Sequence, residues 1–194
     1  MNIKIDSHDS LRIGVIFFSQ TGMTERLAQN ISKGINKAGV SVFQYAIHGS
    51  DIEAGRFTDT DVLVQLSKCD AIVMGSPTYM GGVAAQFKAF ADATSDLWTS
   101  QSWSGKLAAG FTCGGSLNGD QTVTLQYLVT LASQHGMLWL GLDAAHNYKD
   151  HGINRLGCQL GVVAHRQGDE VNNQDLLTAE YLGRRIAQQL LRLY

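Results

Sequence analysis

The 194-residue chain reads as an α/β protein built on one doubly wound parallel sheet of five strands with helices on both faces. Two patterns predict this. Short apolar runs of strand length alternate with longer segments whose apolar residues recur every three or four positions. That alternation is the signature of parallel βαβ units with right-handed crossovers. In addition, the three loops of most unusual composition each follow an apolar run, so all three leave the carboxyl edge of such a sheet. The length suits a single domain over residues 1–194 with its own core.

Taken in order, residues 11–18 (LRIGVIFF) form a buried strand. Residues 24–38 form a helix, with Leu27, Ile31, Ile35 and Ala38 on one face and Gly39 as its C-terminal stop. The β-rich stretch 40–47 is the second strand, and 61–68 is a short helix. Residues 71–75 (AIVMG) are the third strand, closed by Ser76 and Pro77. Residues 84–94 form a helix with Phe87, Phe90 and Ala91 inward. The fourth strand is 106–112, and a long helix spans 121–135. Residues 137–142 are the fifth strand, and 180–193 the closing helix, preceded by a polar stretch at 169–175. Residues 143–166 have the least regular pattern and read as a long excursion between the last strand and the last helix. There is no internal repeat or low-complexity tract.

Composition narrows the function classes. Apolar residues make up 44% and charged residues 16%, an ordinary soluble balance. A formal net charge of -2 gives no electrostatic reason to expect nucleic acid or an anionic membrane as partner. No apolar run nears the roughly 20 residues needed to cross a bilayer. The first ten residues (MNIKIDSHDS) have no signal-peptide h-region. Cys69, Cys113 and Cys158 are far apart and form no CxxC pair, which suits reduced, core-packing thiols and a cytoplasmic location.

The chemistry gathers in the three loops. The first, Ser19, Gln20, Thr21, Gly22, Met23 and Thr24, stands where a strand gives way to a helix. A helix start offers free N–H groups and the positive end of the macrodipole to an anion. Ser19, Thr21 and Thr24 add hydroxyls, and Gly22 permits close backbone approach. Between Ser19 and Thr24 there is no Lys or Arg. The loop is neither a Walker A sequence nor GxGxxG, so a single terminal phosphate suits it better than a triphosphate. An unliganded Ser/Thr helix cap is the alternative. The second loop follows the only proline, Pro77, with Thr78, Tyr79, Met80, Gly81 and Gly82. An aromatic ring, a thioether and bare backbone amides suit a flat heteroaromatic ring with a hydrogen-bonding edge; the alternative is a turn whose Tyr79 packs on a neighbour. The third, TCGGSLNGDQ, carries Gly114, Gly115 and Gly119 and could cover the same ring or move on binding. In the strand order 2-1-3-4-5 the first two loops flank the point where the order reverses, the usual place for a ligand.

Ser-x-Thr-Gly-x-Thr after the first strand and Ser-Pro-Thr-Tyr-Met-Gly-Gly after the third resemble the flavodoxin-like superfamily. The longer runs GSPTYMGGVAAQFKAFADATSDLW, KLAAGFTCGGSLNGDQTVTLQYL and QHGMLWLGL resemble its FMN-containing NAD(P)H:quinone oxidoreductases, the group described as tryptophan-repressor-binding proteins. The resemblance runs from about Ile13 to the closing helix. It implies non-covalent FMN, with NADH or NADPH as electron donor and a small flat acceptor. It assigns the phosphate to Ser19, Gln20, Thr21, Gly22, Met23 and Thr24, and the ring side to Pro77, Thr78, Tyr79, Met80 and Gly81. The third flavin loop falls on Thr112, Cys113, Gly114, Gly115 and Ser116, although SLNGDQ departs from the family's Gly-Thr-Gly-Gly-Gly type of sequence. It places Trp98 on the wall of the substrate pocket. His135 matches a histidine that contacts flavin or substrate; the family often has two adjacent histidines there, and this chain has Gln134-His135. For His135, a helix-end histidine meeting the dipole is the alternative. The resemblance also implies a homo-dimer or homo-tetramer.

Other chemistries fit poorly. Asp143, His146, Asp150 and His151 cluster in sequence, but their spacing matches no zinc pattern. No G-x-S-x-G elbow is present. Apart from a quinone or flavin reductase, the residues leave two readings: a flavodoxin-type electron carrier, and an FMN-binding regulatory protein without turnover. Such carriers are usually strongly acidic, which a net charge of -2 does not match. Trp98 and Trp103 suit a pocket or subunit contact better than a minimal carrier. The mechanism would belong mainly to the flavin, with no catalytic side chain assigned.

Overall fold

A computed structural model describes residues 11–117, 119–148, 152–168 and 170–194. Asn118 of the third loop, Asp150 and His151 of the polar cluster, and Asp169 lie outside the described residues.

The chain runs β1 (Arg12–Phe18), α1 (Met23–Lys37), β2 (Ser41–Ile47), α2 (Thr60–Ser67), β3 (Ala71–Tyr79), α3 (Ala85–Ala93), α4 (Ser95–Thr99), β4 (Leu107–Gly114), α5 (Gln121–Gln134), β5 (Leu138–Trp139), β6 (Val162–Gln167) and α6 (Asn173–Leu193). A small antiparallel ribbon, Ile52–Glu53 with Arg56–Phe57, lies between β2 and α2. The main sheet has eight strands rather than the expected five. Its order is Glu170–Val171, β6, β4, β3, β1, β2; Gly82–Val83 joins β3, and β5 joins β4. β1 pairs parallel with both β2 and β3, and β4 pairs parallel with β3, β5 and β6.

Side chains of β1 alternate between two cores, as a period of two requires. Ile13, Val15 and Phe17 meet α1 and α6, through Leu27, Ile31, Leu182 and Ile186. Ile16 and Phe18 meet the opposite layer, where Leu66 of α2, Phe87 of α3 and Leu128 of α5 pack. Trp103, expected at a pocket or subunit contact, is fully buried in this second core. Its Nε1 donates to Ser67 Oγ at 3.0 Å.

α1 and α6 cross in close contact because Gly34 and Gly183 face the other helix. A Cβ on Gly34 would strike Glu180 O, and one on Gly183 would strike Ile31 O. Glu180, almost buried, is held there by Lys33 at 2.8 Å and Lys37 at 2.6 Å.

Three expected boundaries move. β3 does not stop at Ser76 and Pro77 but continues to Tyr79. Pro77 still pairs in register with Cys113, because its fixed φ suits extended backbone near a strand end. The chain then turns back antiparallel, Tyr79 opposite Gly82. Met80 (φ 47) and Gly81 (φ 76) form the two-residue tip, with the positive φ at both positions that a type I′ hairpin requires.

The expected fifth strand, 137–142, is split. β5 pairs only Leu138 and Trp139 with the start of β4, whereas β6 pairs with its end, Phe111–Gly114. The intervening segment returns to the sheet through close backbone approaches: Leu142 N donates to Gln159 O at 2.8 Å, and a Cβ on Gly141 or Gly161 would strike carbonyl oxygens of Gln159 or Gly110. Buried Asn154 ties the segment together, donating to Ala144 O at 2.8 Å and accepting from Cys158 N at 2.9 Å. Part of the expected irregular excursion is therefore strand β6. α6 begins at Asn173, seven residues before the expected start at 180. The polar residues there are its cap and first turn, with Asn172 Oδ1 accepting from Gln174 N at 2.9 Å.

Candidate functional site

The three loops meet at the carboxyl edge of the sheet around one cavity of about 220 Å³. Gln20, Thr21, Met23 and Thr24 form one side. Pro77, Thr78 and Tyr79 form the second, and Cys113, Gly114 and Gly115 the third. Ser19, Gly22, Met80, Gly81, Thr112 and Ser116, also expected at the site, do not line it.

The first loop gets its shape from Gly22, the N-cap of α1, whose φ of 81 is left-handed. Glycine reaches that conformation without the Cβ clash other residues meet. It also has no side chain to cap the helix. Ser19 acts from further back, its Oγ accepting from Glu25 N at 3.2 Å. Thr24 is buried on the cavity wall.

The second loop is fastened from below. Buried Ser76 Oγ accepts from Ala84 N at 2.9 Å and donates to Pro77 O at 2.9 Å. Thr78 Oγ1 lies 2.8 Å from both Thr112 Oγ1 and Thr124 Oγ1. Three hydroxyls thus join the second loop, the end of β4 and the first turn of α5. Thr112, fully buried, is a strut under the floor rather than a wall. Tyr79 is 45% exposed, and Met80 stands fully in solvent at the hairpin tip.

The third loop is less loose than its glycines suggest. Buried Gln121 accepts from Gly119 N at 2.7 Å and donates to Ser116 O at 2.5 Å. A Cβ on Gly114 would collide with that same side chain. Cys113 is buried, and desolvation pushes its thiol up to about 11, so at neutral pH it is a protonated wall rather than a nucleophile.

These groups suit a phosphate-bearing flat cofactor. One glycine from each loop, Gly22, Gly81 and Gly115, has no atom within 4 Å of where a Cβ would stand. The backbone there is bare toward open space. A helix start whose N-cap glycine has no side chain offers N–H groups to an anion, and the half-exposed ring of Tyr79 offers a stacking face.

Trp98 and His135 stand elsewhere. Both line a separate cavity of about 180 Å³ with Thr94, Ser95, Leu131 and Gln134, which shares no lining residue with the three-loop cavity. Trp98 is 50% exposed, while His135 is 1% exposed. Thr94 Oγ1 lies 2.9 Å from His135 Nε2, and the Trp103 ring lies against the imidazole at 4.6 Å between centroids. Burial lowers the His135 pKa and keeps the ring neutral. In the polar segment, Asp143 accepts from Tyr181 Oη at 2.8 Å and pairs with Arg185, and His146 Nε2 lies 2.8 Å from Asn147 Nδ2.

Two features escaped the sequence. The Thr124 hydroxyl belongs to an ordinary helical stretch, and only the fold brings it under Thr78. Arg166 lines the three-loop cavity from the end of β6, within the stretch expected to be irregular. An Arg following a β-branched run (GVVAHR) was the only available signal.

Residues 11–147 match the model of a protein family described as NADPH-dependent FMN reductase. Flavodoxin FldP of Pseudomonas aeruginosa is 38% identical, over 90% of this chain and 94% of its own length. An NAD(P)H dehydrogenase (quinone) of Caulobacter vibrioides is 28% identical, over 94% of this chain and 98% of its own. Among solved structures, a flavodoxin described as WrbA-like from Agrobacterium tumefaciens superposes with a TM-score of 0.74 at 36% identity, covering 94% of this chain and 99% of that one.

Proposed function

The chain belongs to the NADPH-dependent FMN reductase family, and from that premise we propose an FMN-dependent oxidoreductase that passes electrons from NAD(P)H to a quinone. The carrying observation is the convergence of three loops on one cavity at the carboxyl edge of the sheet. Relatives named as quinone dehydrogenases share nearly the whole chain.

In this reading the first loop holds the FMN phosphate through the α1 N-terminus, with Ser19, Thr21 and Thr24 beside it. Thr78, supported by Thr112 and Thr124, orients the second loop against the ring. Tyr79 flanks the ring on one side, and Cys113, Gly114 and Gly115 bound it on the other. Bound FMN supplies hydride acceptance and onward electron transfer. The protein positions it and excludes water. No side chain in the cavity is needed as acid or base.

We read the five long strands of the sheet as its doubly wound 2-1-3-4-5 core, the chain as one FMN-binding domain, its location as cytoplasmic and its state as a homo-dimer or homo-tetramer. Among the described residues no helix is long and apolar enough to cross a membrane.

The 38% identity to a flavodoxin favours one rival, an electron carrier without nucleotide turnover. Steady-state assays separate the two. The FMN-loaded chain should oxidise NADH or NADPH in the presence of a benzoquinone. Gly115→Val, which puts a side chain into open space without a positive-φ penalty, should weaken FMN about tenfold or more. A loaded chain that oxidises neither nucleotide with any quinone is a carrier, and unchanged FMN affinity in Gly115→Val would move the cofactor elsewhere.

A further inference from the structure

We infer that Thr112 and Thr124 are positioning residues that fill both acceptor sites of the Thr78 hydroxyl, so that Thr78 meets a bound ring as a hydrogen-bond donor only. This rests on the reading that FMN occupies the three-loop cavity.

A threonine hydroxyl has one proton to donate and two lone pairs with which to accept. Thr78 Oγ1 lies 2.8 Å from Thr112 Oγ1 and 2.8 Å from Thr124 Oγ1. Among the described residues, the hydroxyls of Thr112 and Thr124 have no partner other than Thr78. Both residues are 0% exposed, which leaves no solvent to take their protons. Thr124 differs here from its neighbours on α5. Thr130 donates back to Gln126 O at 3.0 Å and Ser133 to Val129 O at 2.8 Å, a common habit of helical hydroxyls, whereas Thr124 is turned to Thr78.

The direction of these bonds follows from the protons. If Thr78 donates to Thr112, the Thr112 proton is left without an acceptor. If it donates to Thr124, the Thr124 proton is stranded in the same way. A stranded buried donor costs more than a hydrogen bond gains. When Thr112 and Thr124 both donate to Thr78, no buried proton is wasted. Both lone pairs of Thr78 are then filled, and its own proton is unspent. Among the described residues nothing accepts it. Thr78 is the member of the trio that is only half-buried and that lines the cavity, so its proton is the one a ligand can take. The β-branched side chains are stiff at χ1, which sets the donor before the ligand arrives.

The flavin ring offers acceptors at N1, at N5 and at the carbonyl oxygens on C2 and C4. Its one ring donor is N3–H. A donor-only Thr78 pairs with one of the acceptors and repels N3–H. Two residues that line no part of the cavity thereby select how the ring lies against the second loop.

The test is NMR of the protein loaded with FMN that carries carbon and nitrogen labels in its ring, with FMN affinity measured by fluorescence quenching. Wild type is compared with Thr78→Val, Thr78→Ser, the double variant Thr112→Val/Thr124→Val and the triple variant Thr78→Val/Thr112→Val/Thr124→Val. The triple variant removes all three hydroxyls together and strands none, so it separates loss of the donor from loss of the fold, which thermal melts check. In Thr78→Val and in the triple variant, one of N1, N5, C2 and C4 should move to its value without a hydrogen bond, and affinity should fall about tenfold. Thr78→Ser should keep both near wild type. The double variant keeps the Thr78 hydroxyl but frees its lone pairs, so that resonance should move part of the way and affinity should fall about threefold. A shift confined to N3 overturns the inference, because Thr78 would then accept from the ring. An unmoved ring spectrum in the triple variant overturns it too, as does wild-type behaviour of the double variant, which would mean that the buried threonines do not direct Thr78. A wild-type chain that retains no FMN overturns the site reading instead, and this inference falls with it.

Discussion

His135 is almost fully buried at the end of α5. With Thr94 Oγ1 at Nε2 and the Trp103 ring against it, it is neutral, and desolvation lowers its pKa. Above its unfolded value of about 6.5, folded and unfolded chains are both neutral at this site and stability is unaffected by it. Below that value the unfolded chain binds the extra proton, so stability falls as pH falls until the folded ring also titrates. His135→Gln should therefore flatten the loss of Tm between about pH 7 and pH 5, as read by thermal melts of the two proteins. Parallel Tm–pH curves would mean that this ring does not feel its burial. Sequence pattern gave His135 a helix-end position, which is correct, but not its partners. Thr94 lies 41 positions away, and a contact of that separation is set by how α3 and α5 pack. The same holds for Thr78, Thr112 and Thr124: each hydroxyl is visible in the sequence, and their meeting is not.

At the scale of elements, α1, α2, α3 and α5 were legible to within one residue at each end, because apolar spacing of three and four marks a helix that buries one face. The misses have physical causes. The residue pattern ends β3 at Ser76 and Pro77, yet a proline is compatible with extended backbone where its missing N–H is not needed. The fifth strand position is filled by two separated pieces, β5 and β6, and a two-residue strand carries no periodicity. Neither pattern nor propensity shows the helix contact where Gly34 and Gly183 let α1 and α6 meet backbone to backbone. In isolation, Gly to Ala inside a helix stabilises it. Here Gly183→Ala should instead destabilise the protein by about 1–3 kcal/mol, the usual range for overpacking. Urea unfolding would show this as a lower midpoint at constant m. Gly49→Ala, where a Cβ meets nothing within 4 Å and φ is not positive, should stay within about 0.5 kcal/mol of wild type. If both variants behave alike, the crossing does not depend on those glycines.

For the whole molecule, the separation of the two cavities bears on where an acceptor enters. Trp98 and the three-loop cavity belong to different faces of one chain, with no lining residue in common. At the same time the molecule leaves several large apolar groups in solvent: Met80 fully exposed at its hairpin tip, Trp98 at 50% and Tyr79 at 45%. Scattered apolar residues are ordinary on a surface. A fully exposed Met at the tip of a well-fastened hairpin, beside the proposed flavin site, suits a contact between copies of the chain better. Assembly would bring an aromatic wall from one copy to the flavin of another, which a single chain does not do. We therefore expect the protein to be a dimer or tetramer at micromolar concentration, and Met80→Lys to shift it toward monomer without unfolding it, since the side chain packs on nothing within its own chain. Light scattering coupled to size exclusion reads the mass, and a melt of the same sample reads the fold. In the assembled protein Trp98→Ala should raise KM for a quinone while leaving FMN occupancy intact. A wild-type chain that is monomeric and still turns over quinone at full rate would show that each chain completes its own site, and Trp98 would then have no part in it.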